Sequence, residues 1–442
     1  MENINKINVK DDYNREYFIK LSKSIVYTAI GIIIFFIPIK LNGQVLNLIY
    51  HISYKLQSNM KHFIEVCIVF YLIIGMFKEI LKCNLKNKNI LIISRIVALI
   101  FLVNIFFGSK NGLLGNDNVY LLIEEVVLNT IIVFTIGVLF MPFLEYGLLE
   151  LTSVYLNKYT KLLFRIDGIS FLNILVYIFT NPFCGMFMTN KLYREGKLKE
   201  YEACNIILNF SILSYPIVIY ICGYLNINLA YAITVSTTVL ILINMGLSRI
   251  YPISKKKKSY YLKSNKKNSY PKKDKLKKII KYYLSNSDSK GLFKAIIDNL
   301  EESISISINL IPNIVIFLYI GQIILNSEII IEIIKILINP VLDVFQVKNI
   351  NELVGFIIDV FYNTIIGINN VDKSISIQTK ILICIIGILS CTSISTNIIY
   401  IANNKMALKI NIKEFIISYL LRINLIIIIY IFIVYLYSGY LI

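Results

Sequence analysis

The sequence predicts an all-α polytopic membrane protein of about nine transmembrane helices, with two opposed re-entrant hairpins in an inverted repeat. Three observations lead there. The chain of 442 residues is 57% hydrophobic with a mean hydropathy of +0.68, carried in repeated apolar runs of about 18–25 residues, long enough to cross a hydrocarbon layer. Two further apolar segments, 168–190 and 351–372, are interrupted by polar residues near their middles. Positive charge is gathered on one set of connecting segments.

Taken in order, the apolar runs predict spans at 22–39, 63–81, 90–107 and 119–144. The first follows Lys20 and Lys23, and no small-residue cleavage site follows it, so it reads as a retained span. An amphipathic stretch at 145–166 suits the membrane interface. In 168–190, Thr180, Asn181, Pro182 and Gly185 break the run. Pro182 lacks an N–H and its ring clashes with the preceding turn, so a continuous helix is disfavoured and a hairpin is expected. Spans at 203–223 and 227–247 follow, then a basic loop. Beyond it come a span at 303–325, an amphipathic stretch at 328–348, the interrupted segment 351–372, and spans at 376–397 and 414–437.

Of the formal net charge of +18, the segment 249–290 supplies 15 Lys/Arg against only Asp274 and Asp288. A loop near anionic headgroups explains this better than nucleic acid does. With that loop in the cytoplasm and both interrupted segments returning to their side of entry, Lys/Arg favour the inner side by roughly five to one. The N-terminus is then cytoplasmic. If 168–190 crossed instead, the basic loop and the Lys191–Lys199 cluster would both fall outside.

This topology divides the chain into an N-terminal three-span scaffold (1–118), a first repeat (119–248), the basic cytoplasmic loop (249–290) and a second repeat (291–442). Each repeat reads as a span, an amphipathic stretch, a hairpin and two spans, in opposite orientations. Pro142 and Pro312 fall in corresponding spans. Such inverted repeats with paired broken segments are the layout of secondary transporters.

Thr189-Asn190-Lys191-Leu192-Tyr193-Arg194-Glu195-Gly196, placed after a broken apolar segment, resembles the TN-x-x-Y-x-x-G signature of YjiH-type membrane proteins. Arg165–Gly168 and the run Thr379–Arg422 also resemble that family. The likeness covers roughly 119–437 and implies a nucleoside-recognition (Gate) domain, shared with concentrative nucleoside transporters and the FeoB membrane domain. It further implies two opposed hairpins and two unwound helices around a solute, in a homo-oligomer by analogy. The chain departs from the family pattern at the first tip (Asn181 to Gly185), at Asp359-Val360-Phe361-Tyr362-Asn363, which lacks the proline, and at Ser390–Asn397, which has no acid.

The candidate solute-binding residues are Thr180, Asn181, Asn363 and Thr364 at the tips. Asn209, Ser211 and Ser214 follow the first hairpin, and Ser390, Thr392, Ser393, Ser395, Thr396 and Asn397 follow the second. Their amides and hydroxyls can replace water around a small polar solute; the plainer role is to cap half-helices and join packed helices. Asp359 is the candidate ligand for a coupling sodium ion or proton, because a carboxylate at bilayer depth is costly. Arg95 and Arg422 are expected to snorkel towards headgroups. His51 and His62 are expected in an outer loop, and most Cys, including Cys222 and Cys384, as small packing groups. No metal spacing, nucleophile–base pair or P-loop is present in the sequence, so neither an enzyme nor a cofactor is expected.

Overall fold

The structure is a computed structural model that describes residues 2–41, 43–81, 88–107, 117–145, 149–180, 182–210, 213, 215–261, 291–325, 329, 332–333, 335–336, 338–340, 349–362, 364–389 and 407–438. Apolar periodicity in these residues produces helices almost throughout. Helix α1 (Glu2–Phe35) leads into a small antiparallel pair, β1 (Ile39–Leu41) and β2 (Gln44–Leu46). Helices α2 (Leu48–Leu81), α3 (Lys88–Phe107) and α4 (Asp117–Phe140) follow. Three helices among the described residues contain stretches long and apolar enough to cross a membrane: Phe18–Phe35, Leu48–Phe77 and Leu229–Leu247. His51 and His62 lie within α2, which kinks at Met60, and so are helical rather than in a loop.

Pro142 opens the short α5 (Pro142–Glu145), where its missing N–H costs nothing. The amphipathic stretch forms α6 (Leu149–Phe164). The interrupted segment 168–190 is divided as the sequence predicts, into α7 (Ser170–Phe179) and α8 (Pro182–Arg194). The run expected as one span at 203–223 is two helices, α9 (Glu200–Asn209) and α10 (Tyr215–Leu225). Helix α11 (Leu229–Leu247) begins at Asn228, whose side chain caps Tyr231 N. Helix α12 (Leu292–Leu325) runs through Pro312. It is followed by α13 (Ile350–Tyr362), α14 (Thr364–Asn370), α15 (Ile377–Leu389) and α16 (Ile412–Ser438).

Two apolar cores organise these helices. One joins α1–α5, α7–α9, α12 and the start of α16, with α2, α3, α4 and α12 packed as a bundle. The other joins α10, α11, α13, α14, α15 and α16. The chain therefore passes from one core to the other at the α9–α10 discontinuity.

Arg95 and Arg422 do not snorkel. Arg95 is buried and its Nη2 donates to Asn309 Oδ1 at 2.6 Å. Arg422 is 1% exposed and turns inward between the two cores. Each finds inner oxygens within reach, which outweighs extension to the surface.

Candidate functional site

The first hairpin is closed by contacts symmetric about its tip. Asn173 Nδ2 on α7 donates to Thr189 Oγ1 on α8 at 2.6 Å, and Thr189 donates on to Gly185 O at 2.7 Å. A Cβ at Gly185 would stand 2.3 Å from the Tyr177 ring, so the arms meet this closely only because residue 185 has none. Thr180 leaves helical geometry at φ −115° and ψ −110°, and Pro182 restarts the helix.

The carbonyls freed at this tip are bound by the N-terminal segment. Asn47 Nδ2 donates to Phe179 O and also to Phe35 O, and the Tyr50 hydroxyl donates to Thr180 O. Thr180 is fully buried and its own hydroxyl donates to Val176 O. Its polar groups thus serve the hairpin itself, as a helix-terminal cap. Asn181 lies outside the described residues.

The second hairpin, α13 and α14, is built alike. Asn370 Nδ2 donates to Asp359 Oδ2 at 2.8 Å across the arms, and a Cβ at Gly367 would stand 3.0 Å from Val360 Cγ2. Tyr220 and Tyr224 of α10 donate to Asn369, and Tyr224 also to Val371 O, which docks this hairpin on α10. Thr364 is buried beside Gly387 of α15, and Asn363 lies outside the described residues.

Between the hairpins lies the α9–α10 break. Phe210 at the end of α9 packs edge-on to Phe164 at 5.2 Å and against Ile174 of α7. Leu213 N donates to Ile388 O, next to the Gly387–Thr364 contact. The break thus touches an arm of one hairpin and the neighbourhood of the other's tip. A buried polar chain runs through it: Ser418 donates to Asn209 Oδ1, Asn209 Nδ2 to Asn205 Oδ1 at 2.7 Å, and Asn205 Nδ2 to Phe164 O at 2.8 Å. Arg422 Nη2 donates to Asn209 O at 2.7 Å and Nη1 to Leu208 O at 3.4 Å, satisfying carbonyls at the negative end of α9. Asn209 was expected from the sequence. Asn205 and Arg422 were not, although Ser418 and Arg422 are four residues apart and share a helix face. Ser211, Ser214, Ser390, Thr392, Ser393, Ser395, Thr396 and Asn397 lie outside the described residues.

Several residues from Thr189 to Gly196 have local structural tasks. Thr189 closes the hairpin, and Asn190 Oδ1 accepts Ala407 N at 3.0 Å. The rings of Tyr193 and Tyr261 meet tilted at 5.4 Å between centroids, and Gly196, at φ 70°, follows the end of α8 in the left-handed region. Between them Lys191 pairs with Glu145 at 2.8 Å and reaches Asn299 at 3.1 Å, while Arg194 pairs with Glu302.

The basic loop begins as an ordered stem. Glu200 N and Tyr201 N at the start of α9 donate to Ser259 O and Lys257 O, and Lys256 pairs with Glu414 at 2.7 Å. Beneath the stem, Glu202 is 1% exposed and accepts Lys199 N at 2.9 Å. Burial first, and the Asp167 carboxylate second, push its pKa up to about 7.

No family model matches the chain, and no solved structure matches it. An uncharacterized protein of Alkalihalophilus pseudofirmus is 27% identical over 127 residues, 28% of this chain. The match spans only 27% of that relative's length.

Proposed function

We propose that the chain is a plasma-membrane protein of about nine spans with a cytoplasmic N-terminus and a Gate-type fold. In this reading it carries a small polar solute, nucleoside-like by resemblance, through alternating access. Its hairpins are the re-entrant elements of an inverted repeat, and Asp359 or carbonyls near 390–397 would hold a coupling sodium ion or proton. The observation that carries this is the shared build of the two hairpins, each clasped across its arms and both adjoining the α9–α10 break. Broken helices that expose backbone groups inside a packed interior are what solute and ion sites in transporters use.

A second reading is a non-transporting scaffold that recruits a partner through the basic loop, favoured by the stem's docking on α9. Cysteines placed at Asn181 and Asn363 in a background without native cysteines separate the two readings. The inverted repeat expects a membrane-impermeant maleimide to reach residue 181 from the cytoplasmic side and residue 363 from the outer side. Labelling of both from one side would end it. A nucleoside that raises the unfolding midpoint of wild type but not of Asn181→Ala or Asn363→Ala supports transport. No rise with nucleosides, nucleobases or small carboxylates, with or without sodium, favours the scaffold.

A further inference from the structure

We propose that Cys222 and Cys384 form a redox site, a thiol pair that an apolar quinone of the lipid phase oxidises to a disulfide, joining α10 to α15. This goes beyond both readings of function and requires only that these two helices pack in a membrane as described.

Contact and burial define the pair. Cys222 Sγ and Cys384 Sγ stand 3.9 Å apart, although 162 residues separate them in the chain. Both are buried, at 3% and 1% exposure, inside the second core. A disulfide holds its sulfurs about 2.05 Å apart, so closure asks for an approach of roughly 2 Å, shared between rotation of two short side chains and small shifts of the helices. Packing alone, the role expected from the sequence, does not require sulfur to face sulfur.

The surroundings decide which chemistry suits the pair. Helix α10 carries no charged residue, and the core that encloses both sulfurs is apolar. A thiolate is costly in such a medium. A soft cation held by two thiolates would leave a net negative charge there, so a metal site is disfavoured. A disulfide carries no charge. As it forms, both S–H bonds break and one S–S bond is made. The two electrons and two protons pass to the quinone, which becomes the hydroquinone, and nothing charged stays behind. Burial also selects the oxidant. Oxidised glutathione reacts with thiolates and is itself a charged peptide, whereas a quinone partitions into lipid.

The seam between α10 and α15 also seats the second hairpin. On α10, Tyr220 and Tyr224, which flank Cys222, donate to Asn369. On α15, three residues beyond Cys384, a Cβ at Gly387 would stand 3.3 Å from Ile221 Cδ1, 3.4 Å from Phe356 Cζ and 3.8 Å from Thr364 Cγ2. The α13–α14 hairpin therefore rests against both helices. A covalent bond between them fixes the width of its seat, while the dithiol leaves the two helices free to part.

The test uses the full-length protein in lipid nanodiscs, treated either with duroquinone, whose fully methylated ring disfavours addition of thiols, or with oxidised glutathione. Free thiols are counted after denaturation, and cross-linked peptides are mapped by mass spectrometry. The expected result with duroquinone is the loss of two of the seven thiols and a peptide pair joined through residues 222 and 384. Oxidised glutathione should remove none. Cys222→Ser and Cys384→Ser, each nearly isosteric and starting with one thiol fewer, should lose none with either reagent. The peptide map of wild type decides the matter even where a variant fails to fold. Retention of all seven thiols by folded wild type would overturn the proposal, as would an undiminished loss in either variant. Bridging by oxidised glutathione as readily as by duroquinone would overturn the assignment of the oxidant.

Discussion

Gly185 of α8 lies against the ring of Tyr177 of α7, so close that a methyl group there would fall 2.3 Å from the ring. Gly185→Ala should therefore push the arms of the first hairpin apart, at a cost of about 1–3 kcal/mol. A lowered unfolding midpoint in detergent is the expected outcome. An unchanged midpoint would mean that the arms yield freely.

The tip of that hairpin depends on Asn47. Asn47→Ala removes the donor for both Phe35 O and Phe179 O, and stranding buried carbonyls costs about 1–3 kcal/mol. Asn47→Asp should be no better, since a carboxylate has no N–H to give. Rescue by Asp would show that shape, not donation, matters at this position.

Glu202 makes docking of the α9 start and the loop stem depend on pH. Its folded pKa, about 7, is above the usual carboxylate value near 4.5. The stabilisation is thus full below that usual value and is lost as pH rises through 7, by up to ~3 kcal/mol. Lys199, Tyr201 and Asp167 face the same group, and Lys161 pairs with Asp167 at 2.5 Å. Amide exchange at Glu200 and Tyr201 should quicken between pH 6 and 8.5 beyond its intrinsic rise. Glu202→Gln should hold the slow, low-pH behaviour throughout; an unchanged profile in that variant would assign the effect to another group.

Among the described residues, the runs expected at 90–107, 227–247 and 414–437 correspond to single helices and the segment 168–190 divides at Pro182, because long apolar runs and a proline are local signals. The division at 210–214 was not legible. Pro216 falls in the first turn of α10, where proline is tolerated, and the apolar run continues across the gap. Arg422 was misread for a related reason. Composition says that a long cation can reach the surface, but only tertiary packing reveals the bare carbonyls of Leu208 and Asn209 beside it. Asn47 and Tyr50 were invisible as caps, since their partners lie some 130 residues away.

The Gly185–Tyr177 contact also fixes how the first hairpin can travel. Sliding α8 along α7 by one residue would set Cys184 or Met186 where only a bare Cα fits, so the two arms cannot ratchet past each other. The two arms are therefore held in one register. Two short non-helical joints flank the hairpin, Arg165–Ile169 and Glu195–Lys199, and the second of these is bridged to the stem of the basic loop through Lys199 and Tyr260. Whatever loosens that stem frees one of the two joints from which the hairpin hangs.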